Sequence, residues 1–229
     1  VFDSKQQPKT YKVYHARSGR EIQVADAQGT VRNQNALPFN TMSAALAFDK
    51  KHNRLYYAPM FINQLRYIDM SGKEPKIYYF ENEQLSSLKE INNEGMHITR
   101  MVIGADGNGY AMSNDGNHFV RFSTGKKPII DDLGAITDDA DNKVSFHDRK
   151  TNWGGDMVGD VLGNLYVVSA YHNVFKVNIR SKKASHVGKI EGLPGNFTTN
   201  GAVVDNEGNL IVGSANVSDN YYKVDMTNW

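Results

Sequence analysis

The chain has 229 residues, enough for one sizeable all-β core, and 40% of them are hydrophobic. Its 26 basic and 25 acidic side chains are mixed along the sequence and leave a net charge of +1, which excludes a basic nucleic-acid groove and a polybasic membrane patch. There is no cysteine, so disulfides and thiolate metal sites are excluded, and no run of 18 apolar residues is present to span a membrane.

The sequence opens at Val1 rather than at a methionine, which leads us to expect a processed or excised extracytoplasmic domain. Residues 9–16 read as a strand, 18–20 as a turn, 21–26 as its hairpin partner, and 30–32 as the start of a third strand. Beyond them, four segments align on one pattern: 46–69, 101–122, 157–178 and 202–225. Each has an apolar run, usually an Asp, a turn ending in Asn, a second apolar and aromatic run, a polar turn, and a strand ending near Asp or Asn. The anchoring residues are Asn53, Asn108, Asn164 and Asn209, spaced by 55, 56 and 45 residues. Gly107-Asn108, Gly163-Asn164 and Gly208-Asn209 supply the positive φ that tight hairpins need. The β-branched and aromatic stretch 165–168 suits a buried strand, whereas 175–178 and 222–225 alternate as half-exposed strands do. Two insertions lengthen the earlier periods: 82–97, where 81–91 reads as one short helix, and 136–153.

The repeat, carried by its D-x-x-x-N-x-L-Y core and the aromatic-basic-apolar-Asp strand that follows, resembles the NHL, YWTD and gluconolactonase-like superfamily over residues 44–229. The YWTD tetrapeptide and a WD40 ending are absent. The resemblance implies an all-β fold, a β-propeller of four-stranded antiparallel blades. The expected count is about five blades in one domain spanning 1–229, with repeats at about 9–35, 43–80, 98–135, 154–192 and 198–229. A fragment of a six- or seven-bladed ring is the alternative. Fold alone does not fix function here.

In such propellers the innermost strand of each blade lines a central channel, and its first residues surround one mouth. Aligned on the Asn anchors, the equivalent pairs are Ala44-Ala45, Thr99-Arg100, Gly155-Asp156 and Asn200-Gly201. Arg100 and Asp156 share one register in neighbouring copies. Together they could recognise a charged or hydroxylated ligand, or pair with each other and pin two blades together. Asn200-Gly201 resembles the metal funnel of gluconolactonase-like enzymes, but the matching positions offer no Glu, and Asp156 is one place out of register with that pattern. Both insertions lead into an inner strand, which would bring His97, His147 and Trp153 near Arg100 and Asp156, as in a carbohydrate or peptide site. The candidate ligand-binding set at the mouth is therefore His97, Thr99, Arg100, Trp153, Asp156 and Asn200.

No cofactor is expected. The only cation the motifs invite is Ca²⁺, through Asp139 and Asp141 or at the mouth, and no EF-hand spacing is completed. Residues 113–119 loosely resemble a sialidase Asp box and read more simply as an Asp-Gly hairpin turn. There is no zincin motif, no nucleophile elbow and no phosphate-binding loop. The expectation is a non-catalytic binding or scaffold propeller with a protein, cell-wall or carbohydrate partner. It would belong to a bacterial envelope or secreted protein, with the type IX secretion apparatus as one setting. The alternatives are a metal-dependent lactonase-like hydrolase and a carbohydrate-binding propeller.

Overall fold

The computed structural model describes residues 43–60, 64–73, 85, 93–125, 128–217 and 220–227, and the backbone of the strands at 22–25, 31–34 and 76–79. Among the described residues four mainly antiparallel sheets follow one another along the chain. The first contains β3 (Ser43–Asp49), β4 (Arg54–Pro59), β5 (Arg66–Asp69) and β6 (Lys76–Tyr79). It is extended on its outer edge by the hairpin β1 (Ile22–Ala25) and β2 (Val31–Gln34). The second contains β7 (Ile98–Ile103), β8 (Gly109–Ser113), β9 (Phe119–Phe122) and β10 (Ile130–Asp132). The third contains β12 (Asp156–Gly159), β13 (Leu165–Val168), β14 (Asn173–Asn178) and β15 (Lys183–Lys189), with the short β11 (Thr137–Asp138) added in parallel outside β15. The fourth contains β16 (Thr199–Val204), β17 (Leu210–Ser214) and β18 (Tyr222–Val224).

The turns after the inner strands show why the repeat folds as it does. In the last three sheets a three-residue loop closes with Gly107, Gly163 or Gly208 at φ of 79°, 86° and 86°. The carboxylate of Asp160 accepts N–H groups of Leu162 and Asn164 and the Asn164 side-chain amide, all at 2.7–2.9 Å. Asp205 does the same for Glu207 and Asn209. Burial pushes the Asp160 carboxyl upward, but donors from Asn164 and Leu162 outweigh it and hold it below the usual carboxylate range. In the first sheet this loop is one residue longer, because Asp49 pairs with Arg54. There Asn53, at φ 52°, takes the left-handed position that glycine holds elsewhere.

Alternation along each strand then builds the stack. Met101, Ala111 and Phe122 of the second sheet pack with Ala47, Tyr56 and Tyr67 of the first. Tyr110, Met112 and Phe119, on its opposite face, pack with Met157, Leu165, Val167 and Phe175 of the third. Val158, Val168 and Val174 pack in turn with Leu210 and Val212 of the fourth. Each fully buried aromatic or branched side chain contributes about 1.5–3 kcal/mol through removal from water. The inner strands lie side by side in the order β3, β7, β12, β16. Sheets of three or more strands stacked face to face around their inner strands make the fold a β-propeller, as the repeat implies.

Of the N-terminal strands expected, those at 21–26 and 30–32 are present as β1 and β2, while the hairpin expected between 9–16 and 21–26 lies outside the described residues. Strands β1 and β2 pair antiparallel, but β1 joins β6 in parallel through Val24↔Ile77 and Ala25↔Tyr78. The hairpin thus widens the first sheet instead of starting a sheet of its own. Residues 9–21, and the helix expected over 81–91 apart from Leu85, lie outside the described residues. The turn expected over 113–119 is present, with Gly116 at φ 72° and Asp115 accepting from Ser113 Oγ and from Asn117.

Candidate functional site

The inner strands of the first, second and fourth sheets each begin with a β-bulge. The register slips between Ser43 and Ala45, between Ile98 and Arg100, and between Thr199 and Gly201. The extra residues are Ala44, Thr99 and Asn200. In the third sheet, Gly154 and Gly155 stand at this place with φ of 69° and 82°. The four pairs aligned from the sequence are therefore structurally equivalent. A bulge re-aims the chain where a strand leaves its ladder. The residue at the bulge is the more open one, with Asn200 exposed and Thr99 half-buried. The residue after it turns inward in the first two sheets, where Ala45 and Arg100 are buried.

Arg100 is fully buried. Its Nε and Nη2 donate to the carbonyl of Gly154 at 3.1 and 3.0 Å, and Nη2 also donates to the carbonyl of Asn152. Its guanidinium sits 5.9 Å from the Phe146 ring centroid. Burial pulls its pKa down to about 9, opposed by the charges of Asp156 and Asp115, so it stays cationic at neutral pH. Asp156 plays the reverse part. Its Oδ1 accepts the N–H of Met157 at 2.8 Å, and its Oδ2 accepts the N–H of Ala202 at 3.0 Å. Burial pushes its carboxyl up to about 7, opposed by the N–H groups of Ala202, Met157 and Met101 and by the charge of Arg100.

The ion pair considered from the sequence is therefore not formed. Arg100, on the second sheet, grips carbonyls of the segment leading into the third. Asp156, on the third sheet, grips an amide of the fourth. Each side chain latches the backbone of the next sheet. Their opposite charges follow from what the neighbour presents, carbonyl oxygens in one case and N–H groups in the other. Ala45 makes no such latch. The first sheet is tied to the second at its other end, where Arg54 Nη1 donates to the carbonyls of Thr124 and Gly125, both at 3.1 Å, and Tyr56 donates to Thr124 at 3.2 Å.

The other candidates fall around this frame. Thr99 Oγ1 donates to Asn114 Oδ1 at 2.8 Å, and that oxygen also accepts the Gly154 N–H at 2.9 Å. His97 is buried, and its carbonyl accepts the Asn114 N–H. His147 bridges the Asp115 and Ile136 carbonyls at 2.7 and 2.9 Å. Trp153 follows the single helical turn α1 (Arg149–Asn152), and the Arg149 guanidinium lies 4.9 Å from its ring centroid. Arg100 grips the residues on either side of Trp153, so Arg100, Thr99, His97 and Trp153 are neighbours through Asn114 and the 152–154 backbone. Asn114 and Asn152 are the residues that sequence reasoning missed. Asn152 is buried and donates to the Phe146 carbonyl. Asn114 had one legible signal, its place in a Ser-Asn-Asp-Gly turn opposite the strand start.

The donors at the mouth do not fit a divalent cation. Both Asp156 oxygens already accept backbone N–H groups, and among the described residues no three His, Asp or Glu side chains gather as a metal requires. Asp139 accepts from Asp141 N–H and Ser185 Oγ, closing its own loop. Below the mouth the inner strands enclose an open cavity of about 590 Å³, lined by Leu46, Phe48, Val102, Asp156, Val203 and Tyr221 among others. Its wall is largely apolar.

No protein-family model matches the chain, and no curated protein sequence does. Solved structures are similar at the level of the backbone. Virginiamycin B lyase from Staphylococcus aureus shows 12% identity and a TM-score of 0.49, over 88% of this chain and 58% of that one. A protein of unknown function from Bacteroides thetaiotaomicron shows 15% identity and a TM-score of 0.48, over 82% of this chain and 49% of that one. A protein of unknown function from Bacteroides caccae shows 11% and 0.46, over 85% and 65%. The chain thus spans between 49% and 65% of the length of these three structures, and likenesses this distant assign no activity to it.

Proposed function

We propose that the chain is a non-catalytic propeller that binds or scaffolds a partner, as a module of a bacterial envelope or secreted protein. The type IX secretion apparatus is the specific setting proposed. One observation carries the reading: the charged residues at the channel mouth are engaged with neighbouring backbone. Arg100 and Asp156 hold sheets together, and among the described residues no three His, Asp or Glu side chains gather to grip a metal. What the centre offers to a partner is a largely apolar wall that includes Phe48 and Tyr221, and aromatic anchors carry much of the energy of protein interfaces.

The competing lactonase reading makes a sharp contrary demand. The purified chain is assayed against a panel of lactones with Ca²⁺ and with Mg²⁺, beside Asp156→Asn and Asn200→Ala. The expected outcome is no turnover and no cation-dependent rise in thermal stability. Metal-dependent turnover lost in both variants would overturn the binding reading. Fractionation of producing cells tests the location: recovery in the cytosol would overturn the envelope assignment.

A further inference from the structure

Two asparagines in the chain are followed by glycine, in Asn108-Gly109 and Asn200-Gly201. A following residue without a Cβ lets its backbone nitrogen approach the asparagine side-chain carbon, and the fold treats the two pairs oppositely. Asn108 is held in place. Its side-chain amide donates to Asp106 Oδ2 at 2.8 Å, its N–H donates to Asp106 Oδ1 at 3.1 Å, and its carbonyl accepts the Gly104 N–H at 2.8 Å. Gly109 is buried in the ladder between Ile103 and Phe122, and the Phe122 ring lies 2.0 Å from where a Cβ would stand. Asn200 is exposed. It is the extra residue of the β16 bulge, passed over by the ladder between Thr199↔Ser214 and Gly201↔Gly213. Among the described residues nothing bonds its side chain, and a Cβ on Gly201 would meet no atom within 4 Å.

We propose that Asn200 is a modification site, where the folded chain converts its own side-chain amide to a carboxylate through a succinimide. The Gly201 backbone nitrogen gives up its proton to solvent and bonds to Asn200 Cγ. The bond from Cγ to the side-chain nitrogen breaks, and that nitrogen leaves as ammonia, taking a proton from solvent. Water then opens the ring. Breaking the new bond to Cγ gives aspartate; breaking the bond to the main-chain carbonyl carbon gives isoaspartate, whose backbone is one carbon longer. Nothing is oxidised or reduced, and water is the only co-reactant. Either product cancels the net charge of +1 and sets an anion at the mouth. Isoaspartate has a second effect. Ala202, two residues on, donates its N–H to Asp156 Oδ2 at 3.0 Å, and an added backbone carbon displaces that N–H from the seam between the third and fourth sheets. The exposed bulge thus makes the mouth and the joint behind it change with the age of the molecule.

Peptide mapping by mass spectrometry, on the 229-residue chain held at pH 8 with and without urea, follows both asparagines over time. In urea the two react at similar rates, because each precedes a glycine. In the folded protein Asn200 is expected to keep its unfolded rate within a few-fold. Asn108 must release its bonds to the Asp106 carboxylate before it can react, so folding is expected to slow it by roughly tenfold or more. Gly201→Ala finds open space for its Cβ, folds as the parent does, and is expected to slow reaction at position 200 by roughly tenfold by spoiling the approach of the nitrogen. Protection of Asn200 as strong as that of Asn108, or an unchanged rate in Gly201→Ala, would overturn the proposal. An isoaspartate form, separated by ion exchange, that melts with the parent would overturn the coupling to the seam.

Discussion

Asp156 offers the most direct test of how the sheets are held. Its carboxyl is raised from an ordinary 3.8 to about 7, mainly by burial. A difference of that size corresponds to about 4 kcal/mol between protonation states. Part of Asp156 meets the central cavity, so screening by water reduces the effect on stability to roughly 1–2 kcal/mol. The native protein holds this proton more tightly than the unfolded chain does. The contribution is therefore complete below about pH 4 and is lost as the pH rises through about 7. Asp156→Asn removes the titration and keeps one acceptor for the N–H groups of Met157 and Ala202. It is expected to cost about 1 kcal/mol at pH 5, where the native carboxyl is protonated, and less at pH 8. Urea denaturation of both proteins from pH 5 to pH 8 measures it. Every other ionisable group is common to both proteins, so the difference between the two curves isolates residue 156. Identical pH slopes would refute the assignment of a buried, proton-holding carboxyl between the third and fourth sheets.

Two further substitutions probe the same frame. Arg100→Met leaves the carbonyls of Asn152 and Gly154 without their donors and is expected to lower stability by about 3 kcal/mol in urea titrations, whereas Arg100→Lys restores part of that loss. Gly155→Ala places a Cβ 1.9 Å from the Val168 carbonyl oxygen at a φ of 82°, so we expect a loss of at least about 2 kcal/mol, seen as a clear fall in melting temperature; an unchanged melting temperature would mean that the chain does not turn there as described.

The repeat made the inner-strand register legible, because one Asp-turn-Asn device recurs and its hydrogen bonds are local. It placed Ala45, Arg100, Asp156 and Gly201 in equivalent positions, and three bulges, with Gly154 and Gly155 in the third sheet, place them there too. The extra residue in the first hairpin was not legible, since an Asn accepts the left-handed conformation almost as readily as the glycines beside it. The roles of Arg100 and Asp156 were also hidden. Opposite charges in adjacent copies suggest a pair, and nothing in spacing reveals that backbone carbonyls from an insertion fill the space around the guanidinium. The N-terminal hairpin was recognised as strands, but the choice of β6 as its neighbour is a matter of which sheet edge is free, and sequence patterns say nothing about edges.

The bulge that opens the inner strands of the first, second and fourth sheets has a consequence for variation in this molecule. It divides two adjacent residues between separate duties. Asn200 and Thr99 stand toward the opening, while Arg100 and Ala45 turn back into the seam. A change at position 44 or 200 can therefore alter what the opening displays while the seams behind it keep their fit. Changes at position 100 or 156 act on how neighbouring sheets hold together. The molecule thereby separates a small set of freely adjustable addresses from the joints that carry them.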